Sequence, residues 1–195
     1  MGLWDKVGSA RFAGKDPFFG PDAEYLVEIH EVQFFDSQNT LNKGAQFFKI
    51  RGRVVKVAYD PEIDRTQCDP KLDPPTRAGA FAVHMISLSK GDAPLGDIKN
   101  FATAVYRGKV HQAGGDPDDQ VNPESFGDSE IEPLYGVDQP CAGMFLGLRT
   151  TMKITREKKT PFTQHFWQAE EDFTFSLPVQ GEIPELSRGE NSQTA

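Results

Sequence analysis

Between Lys43 and Lys56 the run KGAQFFKIRGRVVK carries Lys43, Lys49, Arg51, Arg53 and Lys56 and no acid. A second strip, RTTMKITREKK, holds Arg149, Lys153, Arg156, Lys158 and Lys159 against the single acid Glu157. The formal net charge is −8, so cations are concentrated in two places and the rest of the chain is strongly acidic. Cations at this density suit a row of phosphates, and the bland alternative for either strip is a solvated face. Phe47 lies inside the first strip. A ring beside cations is what sequence-independent binding of single strands requires, because bases stack on aromatics while phosphates track the charge. Phe34, Phe35, Phe145, Phe162, Phe166 and Trp167 are further rings, and buried core is the commoner fate of each.

Catalysis has no comparable basis. The chain contains no GxxxxGK[ST], GxSxG or HExxH run and no Cys and His at a catalytic spacing, which removes the usual phosphate cradle, nucleophile elbow and zinc pair. A metal-dependent nuclease needs clustered carboxylates, whereas the acids here sit in proline-rich loops. Asp60, Glu62 and Asp64 suggest a calcium loop but lack its glycine turn and closing glutamate. His84 has no ligand-spaced partner and reads as a strand residue. Cys68 and Cys141 are far apart and in no CxxC, so both read as free thiols. The expectation is no enzyme, no metal and no cofactor.

Positioning these groups requires strands. At 195 residues the chain suits one domain. Residues 23–35 alternate, with Tyr25, Val27 and Ile29 on one side and Glu28 and His30 on the other, and form strand 1. After the turn-like DSQNTLNKG, residues 45–58 form strand 2, with Phe48, Ile50 and Val54 on a core face and Phe47, Lys49, Arg51 and Arg53 opposite. Residues 59–79 are a Pro- and Asp-rich loop, and residues 80–88 form strand 3. A helix opens at Asp92 and closes after Tyr106 at Gly108, its stripe being Leu95, Ile98, Phe101, Ala102, Val105 and Tyr106. Residues 109–140 read as an acidic insertion with at most a short helical turn. Strand 4 spans 142–155, with Phe145, Arg149, Thr151 and Lys153 facing away from Met144, Leu146, Leu148, Met152 and Ile154, and strand 5 spans 162–169.

Three strands, a helix and two strands is the element order of the OB fold. The fold class expected is mainly β: a five-stranded OB-type β-barrel with one helix between strands 3 and 4, long loops and extended termini. Residues 1–22 are then an N-terminal arm, 23–169 the OB-fold domain with the insertion at 109–140, and 170–195 a polar, partly acidic tail. In that fold the face of strands 2 and 3 and the loops joining strands 1 to 2 and 4 to 5 bind oligonucleotides. Both basic strips fall there, so the candidate site is Lys43, Phe47, Lys49, Arg51, Arg53, Arg149, Lys153, Arg156, Lys158, Lys159 and Trp167.

The start MGLWDKV, the strand FFKIRGRVVKV, the helix APLGDIKNFATAV after a strand, and the hairpin KKTPFTQHFW before a polar tail together resemble the OB-fold single-stranded DNA-binding proteins of tailed bacteriophages. These features span most of residues 1–169. The resemblance implies non-catalytic, largely sequence-independent coating of single-stranded DNA during phage replication or recombination, in the cytoplasm of the infected bacterial host. It also implies replication or recombination proteins as partners, with self-association left open. Many such proteins end in an acidic tail tipped with hydrophobic residues; this chain ends in SRGENSQTA, although Glu170, Glu171, Asp172, Glu182 and Glu185 make the preceding stretch acidic. The alternative is a phage virion structural or decoration protein with a β-barrel core, whose strand 2 face meets protein. No apolar run approaches the roughly 20 residues of a membrane helix, and no secretory signal opens the chain, so a soluble, intracellular protein with no membrane partner is expected.

Overall fold

The computed structural model describes residues 16–38, 40, 43–63, 74–88, 93–153 and 162–183. Its strands are β1 (Ala23–Asp36), β2 (Gln46–Tyr59), β3 (Phe81–Ser87), β4 (Phe145–Lys153), β5 (Phe162–Ala169) and β6 (Val179–Glu182). Three helices, α1 (Ala93–Gln112), α2 (Pro117–Gln120) and α3 (Asp128–Ile131), lie between β3 and β4. The strands form one open antiparallel sheet in the order β3-β2-β1-β4-β5, with β6 added to β2 beside β3. The protein is therefore mainly β, and β3 and β5 are edges rather than paired neighbours.

Alternation builds the inner face. Tyr25, Val27 and Ile29 of β1, Phe48, Ile50 and Val54 of β2, and Leu146 and Leu148 of β4 are all fully buried. The period breaks once in β1, where a bulge between Ile29 and Glu31 makes His30 the extra residue. After it Val32 turns inward and Glu31, Gln33 and Phe35 turn outward, since one inserted residue exchanges the faces. Gly52 lies opposite Ile29, and a Cβ there would overlap the buried Val27 Cγ1, so glycine allows β1 and β2 to approach at the bend.

Helix α1 lays Ile98, Phe101, Ala102 and Val105 on the core, with Phe101 at 5.5 Å from Trp167 and 6.1 Å from Phe48. Leu95, expected on that stripe, is exposed. The helix also passes the stop expected at Gly108. That glycine is buried against Met144 and Ala169, and a cost of about 1 kcal/mol for interior glycine is offset by packing. The chain turns off at Gly114, whose φ of +75° suits a glycine after a helix. Asp92, expected as the N-cap, lies outside the described residues. The insertion holds more structure than its composition suggests: α2, α3 and two 3-10 turns, Pro123–Ser125 and Glu132–Tyr135, with Leu134 fully buried and Phe126 packed on Tyr106.

Packing also extends beyond both expected domain boundaries. Phe19, assigned from sequence to the arm, is fully buried against Tyr25 and Trp167. Its segment runs parallel to β3, with Val83 N donating to Pro17 O at 2.9 Å. Thr150 Oγ1 and the Tyr25 hydroxyl both donate to Gly20 O, at 2.7 and 2.9 Å. At the other end, Phe173 covers Gly147, Ser176 and Leu177 bind Glu24, and the chain joins the sheet as β6, a strand that the thin apolar content of this stretch had not revealed.

Side chains bridge the two edges. The His84 ring of β3 stacks on His165 of β5 with centroids 3.8 Å apart, and Trp167 Nε1 donates to His84 Nδ1 at 3.2 Å. Asn100 of α1 acts as a partner for the β5 edge: its Oδ1 accepts from Trp167 N at 2.7 Å, and its Nδ2 donates to Trp167 O at 3.2 Å.

Candidate nucleic-acid interface

The β1–β2 register sets the outer face of β2. Phe47, Lys49, Arg51 and Arg53 stand opposite Phe35, Gln33, Glu31 and Glu28, and opposite residues in an antiparallel pair share a face. The expected aromatic and basic face is therefore present, but it faces the acids of β1. Lys49 Nζ lies 3.2 Å from Glu31 Oε2; Arg53 donates through Nε and Nη2 to Glu28 Oε2 at 2.9 and 2.6 Å. Arg51 Nε donates to Asp16 Oδ2 at 2.6 Å, and its guanidinium lies 4.0 Å from the Phe81 ring centre. Phe47 stacks on Phe35 at 5.8 Å and is half-buried. Lys43 is exposed in the β1–β2 turn, next to Gly44 at φ +81°.

Arg149 is more tightly held. Its Nε donates to Glu24 Oε1 at 2.9 Å, Nη1 to Gln168 Oε1 at 2.6 Å and Nη2 to Thr174 O at 2.6 Å. Glu24 is 4 % exposed and also accepts from the Ser176 amide and hydroxyl, both at 2.6 Å, and from Leu177 N at 3.0 Å. Burial would raise the Glu24 carboxyl, but the bonds from Ser176, Arg149 and Leu177 outweigh it and hold the group below the ordinary carboxylate range. Arg149 is thus the clamp of the segment crossing β4. Trp167, included as a stacking ring, is 1 % exposed and packs on Phe19, Phe101 and His84. A ring buried on all sides offers no face to a base, and its place is the core.

The outer face of the β4–β5 hairpin differs. Arg149, Thr151 and Lys153 stand opposite Phe166, Gln164 and Phe162. Phe166 is 52 % exposed, Phe162 is 36 % exposed, and Thr151, Lys153 and Gln164 are exposed. The two rings are four residues apart, about 13 Å along the strand, too far to stack on one another. Lys153 has no ion pair among the described residues. Arg156, Lys158 and Lys159, expected in the connecting loop, lie outside the described residues. The structure thus brings Phe162, Phe166 and Lys153 together on one surface and holds Lys49, Arg51 and Arg53 in ion pairs on another.

The acids Asp16, Glu24, Glu28 and Glu31 were missed as partners. Glu28 was readable, since it falls outward in the β1 alternation; Glu31 was hidden by the bulge, and Asp16 depends on a distant segment docking on β3. Among the described residues no group of three or more His, Cys, Asp or Glu is arranged to hold a metal ion, and no helix is long and apolar enough to cross a membrane. No model of a known protein family matches the chain, and a search of curated proteins finds no match either.

Proposed function

We propose that this chain binds single-stranded DNA without cleaving it and with little base preference, as the OB-fold single-strand binders of tailed phages do in replication or recombination. The observation that carries this reading is the β4–β5 surface, where Phe162 and Phe166 are solvent-accessible beside Lys153, and the cationic run REKK lies between these strands in the sequence. Exposed rings in line with cations supply stacking and phosphate attraction together. The strand order supports the OB-type reading, because a barrel built on β3-β2-β1-β4-β5 closes between β3 and β5, where His84 stacks on His165 and the Phe19 segment packs. Host cytoplasm is the matching location.

The test is the double substitution Phe162→Ala, Phe166→Ala, titrated into a labelled oligo-dT at two salt concentrations. Loss of two stacked bases costs about 2 to 6 kcal/mol and leaves the salt slope nearly unchanged. Unaltered affinity would remove the hairpin from the site. A virion subunit is the second reading, favoured by the ion-paired β2 face, which presents little net charge to a phosphate. It expects weak oligonucleotide binding and self-assembly of the purified chain.

A further inference from the structure

The outer face of β2 carries three cations in a row, and each is already matched to a carboxylate: Lys49 to Glu31, Arg51 to Asp16 and Arg53 to Glu28. The pairs are accessible rather than buried, the cationic side chains being 15 to 28 % exposed and the acids 19 to 30 %. The three acids come from outside β2, Glu28 and Glu31 from β1 and Asp16 from the segment along β3. Each presents a carboxylate oxygen where a phosphate oxygen would sit, since guanidinium and ammonium groups bind both anions through the same donors.

We infer that Glu28, Glu31 and Asp16 are built-in competitors for the strand's phosphates, so that the β2 face takes up a single-strand backbone by exchanging each carboxylate for a phosphate. This inference rests on the single-strand reading above and adds the β2 face to it as a regulated half of the site. Exchange has a consequence that simple charge attraction lacks. A phosphate docking on an unpaired cation releases condensed counterions, giving a salt slope of about −0.7 per contact for single strands. A phosphate that displaces a carboxylate leaves that carboxylate to attract cations again beside the bound strand, which offsets part of the release, so the contact adds less to the slope. The wild-type slope is then shallower than the cations on the face would give. Duplex DNA, with a stiffer backbone and higher charge density, meets the same carboxylates as fixed repulsion and is discriminated against.

The variant Glu28→Gln, Glu31→Gln keeps the shape of both side chains and frees Arg53 and Lys49. A control variant, Asp119→Asn, Glu124→Gln, changes the net charge equally at exposed positions in and after α2. Each full-length protein is titrated into labelled oligo-dT across a salt series, with thermal melting to verify folding. The expected result is several-fold tighter binding at low salt for E28Q/E31Q and a slope steeper than wild type by up to about 1.4, with the control close to wild type. If wild type binds and the two variants behave alike, the competitor role is overturned while the single-strand reading stands. If neither wild type nor E28Q/E31Q binds, both fall.

Discussion

His84 and His165 are an uncommon joint between two strand edges, and acid should open it. The imidazoles stack at 3.8 Å, Trp167 donates to His84 Nδ1, and His165 Nε2 is buried with no hydrogen-bond partner among the described residues. Neither ring has a carboxylate partner among the described residues. Burial lowers the pKa of His165 from 6.5 to about 4, and burial together with the neighbouring His165 lowers that of His84 well below 6.5. Because the folded pKa lies below the unfolded one, the unfolded chain binds the extra proton. Stability is therefore full above pH 6.5 and falls as the pH drops toward 4. At 1.36 kcal/mol per unit, His165 alone costs about 3 kcal/mol by pH 4.5, and His84 acts in the same direction. The carboxylates of Glu24 and Asp172, both held low, lose their contribution as the pH falls through the ordinary carboxylate range and below it, so between pH 6.5 and 5 their share is nearly constant while that of the histidines changes. Urea unfolding followed by circular dichroism at pH 7.5, 6.5, 5.8 and 5.0 reads the effect. His165→Phe keeps a flat ring on His84 and removes one proton site, so its stability should fall less steeply by up to about 1.4 kcal/mol per pH unit. If His165→Phe and wild type lose equal stability over this interval, the buried, neutral state assigned to His165 is refuted.

Two further substitutions test the frame. Gly52→Ala forces a Cβ into the buried Val27 side chain and should destabilise by about 1 to 3 kcal/mol in urea unfolding; a change under about 0.5 kcal/mol would mean that the β1–β2 bend does not need this close approach. Glu24→Ala removes the acceptor shared by Arg149, Ser176 and Leu177 and should cost about 2 to 3 kcal/mol. Limited proteolysis should then cut between Phe173 and Ile183 well before strands β1 to β5, and a cleavage pattern identical to wild type would show that Glu24 does not hold this segment.

How far the sequence carried the reading depended on how local each determinant was. The period-two pattern of β2 located Phe48, Ile50 and Val54 in the core and Lys49, Arg51 and Arg53 outside, because one strand's alternation needs no knowledge of its neighbours. The partners of those cations were less legible. A one-residue bulge at His30 reverses the faces of β1, and alternation read straight through that point misplaces Glu31. Trp167 and Phe166 are adjacent in β5, and which one faces inward is decided by the β4 register and by Asn100 of α1, neither of which leaves a local mark. Gly108 looked like a helix stop because glycine is a poor helix former, yet contact with Met144 and Ala169 overrides that preference. Phe19 and β6 sit in stretches whose composition resembles loose ends and join the body through contacts of long sequence range.

The most direct test of the account is fluorescence anisotropy of a labelled oligo-dT titrated with the intact protein at low and moderate salt, with a duplex of equal length as competitor. Binding should weaken with salt and resist displacement by the duplex. Absence of binding at low salt, or equal displacement by duplex, would contradict it.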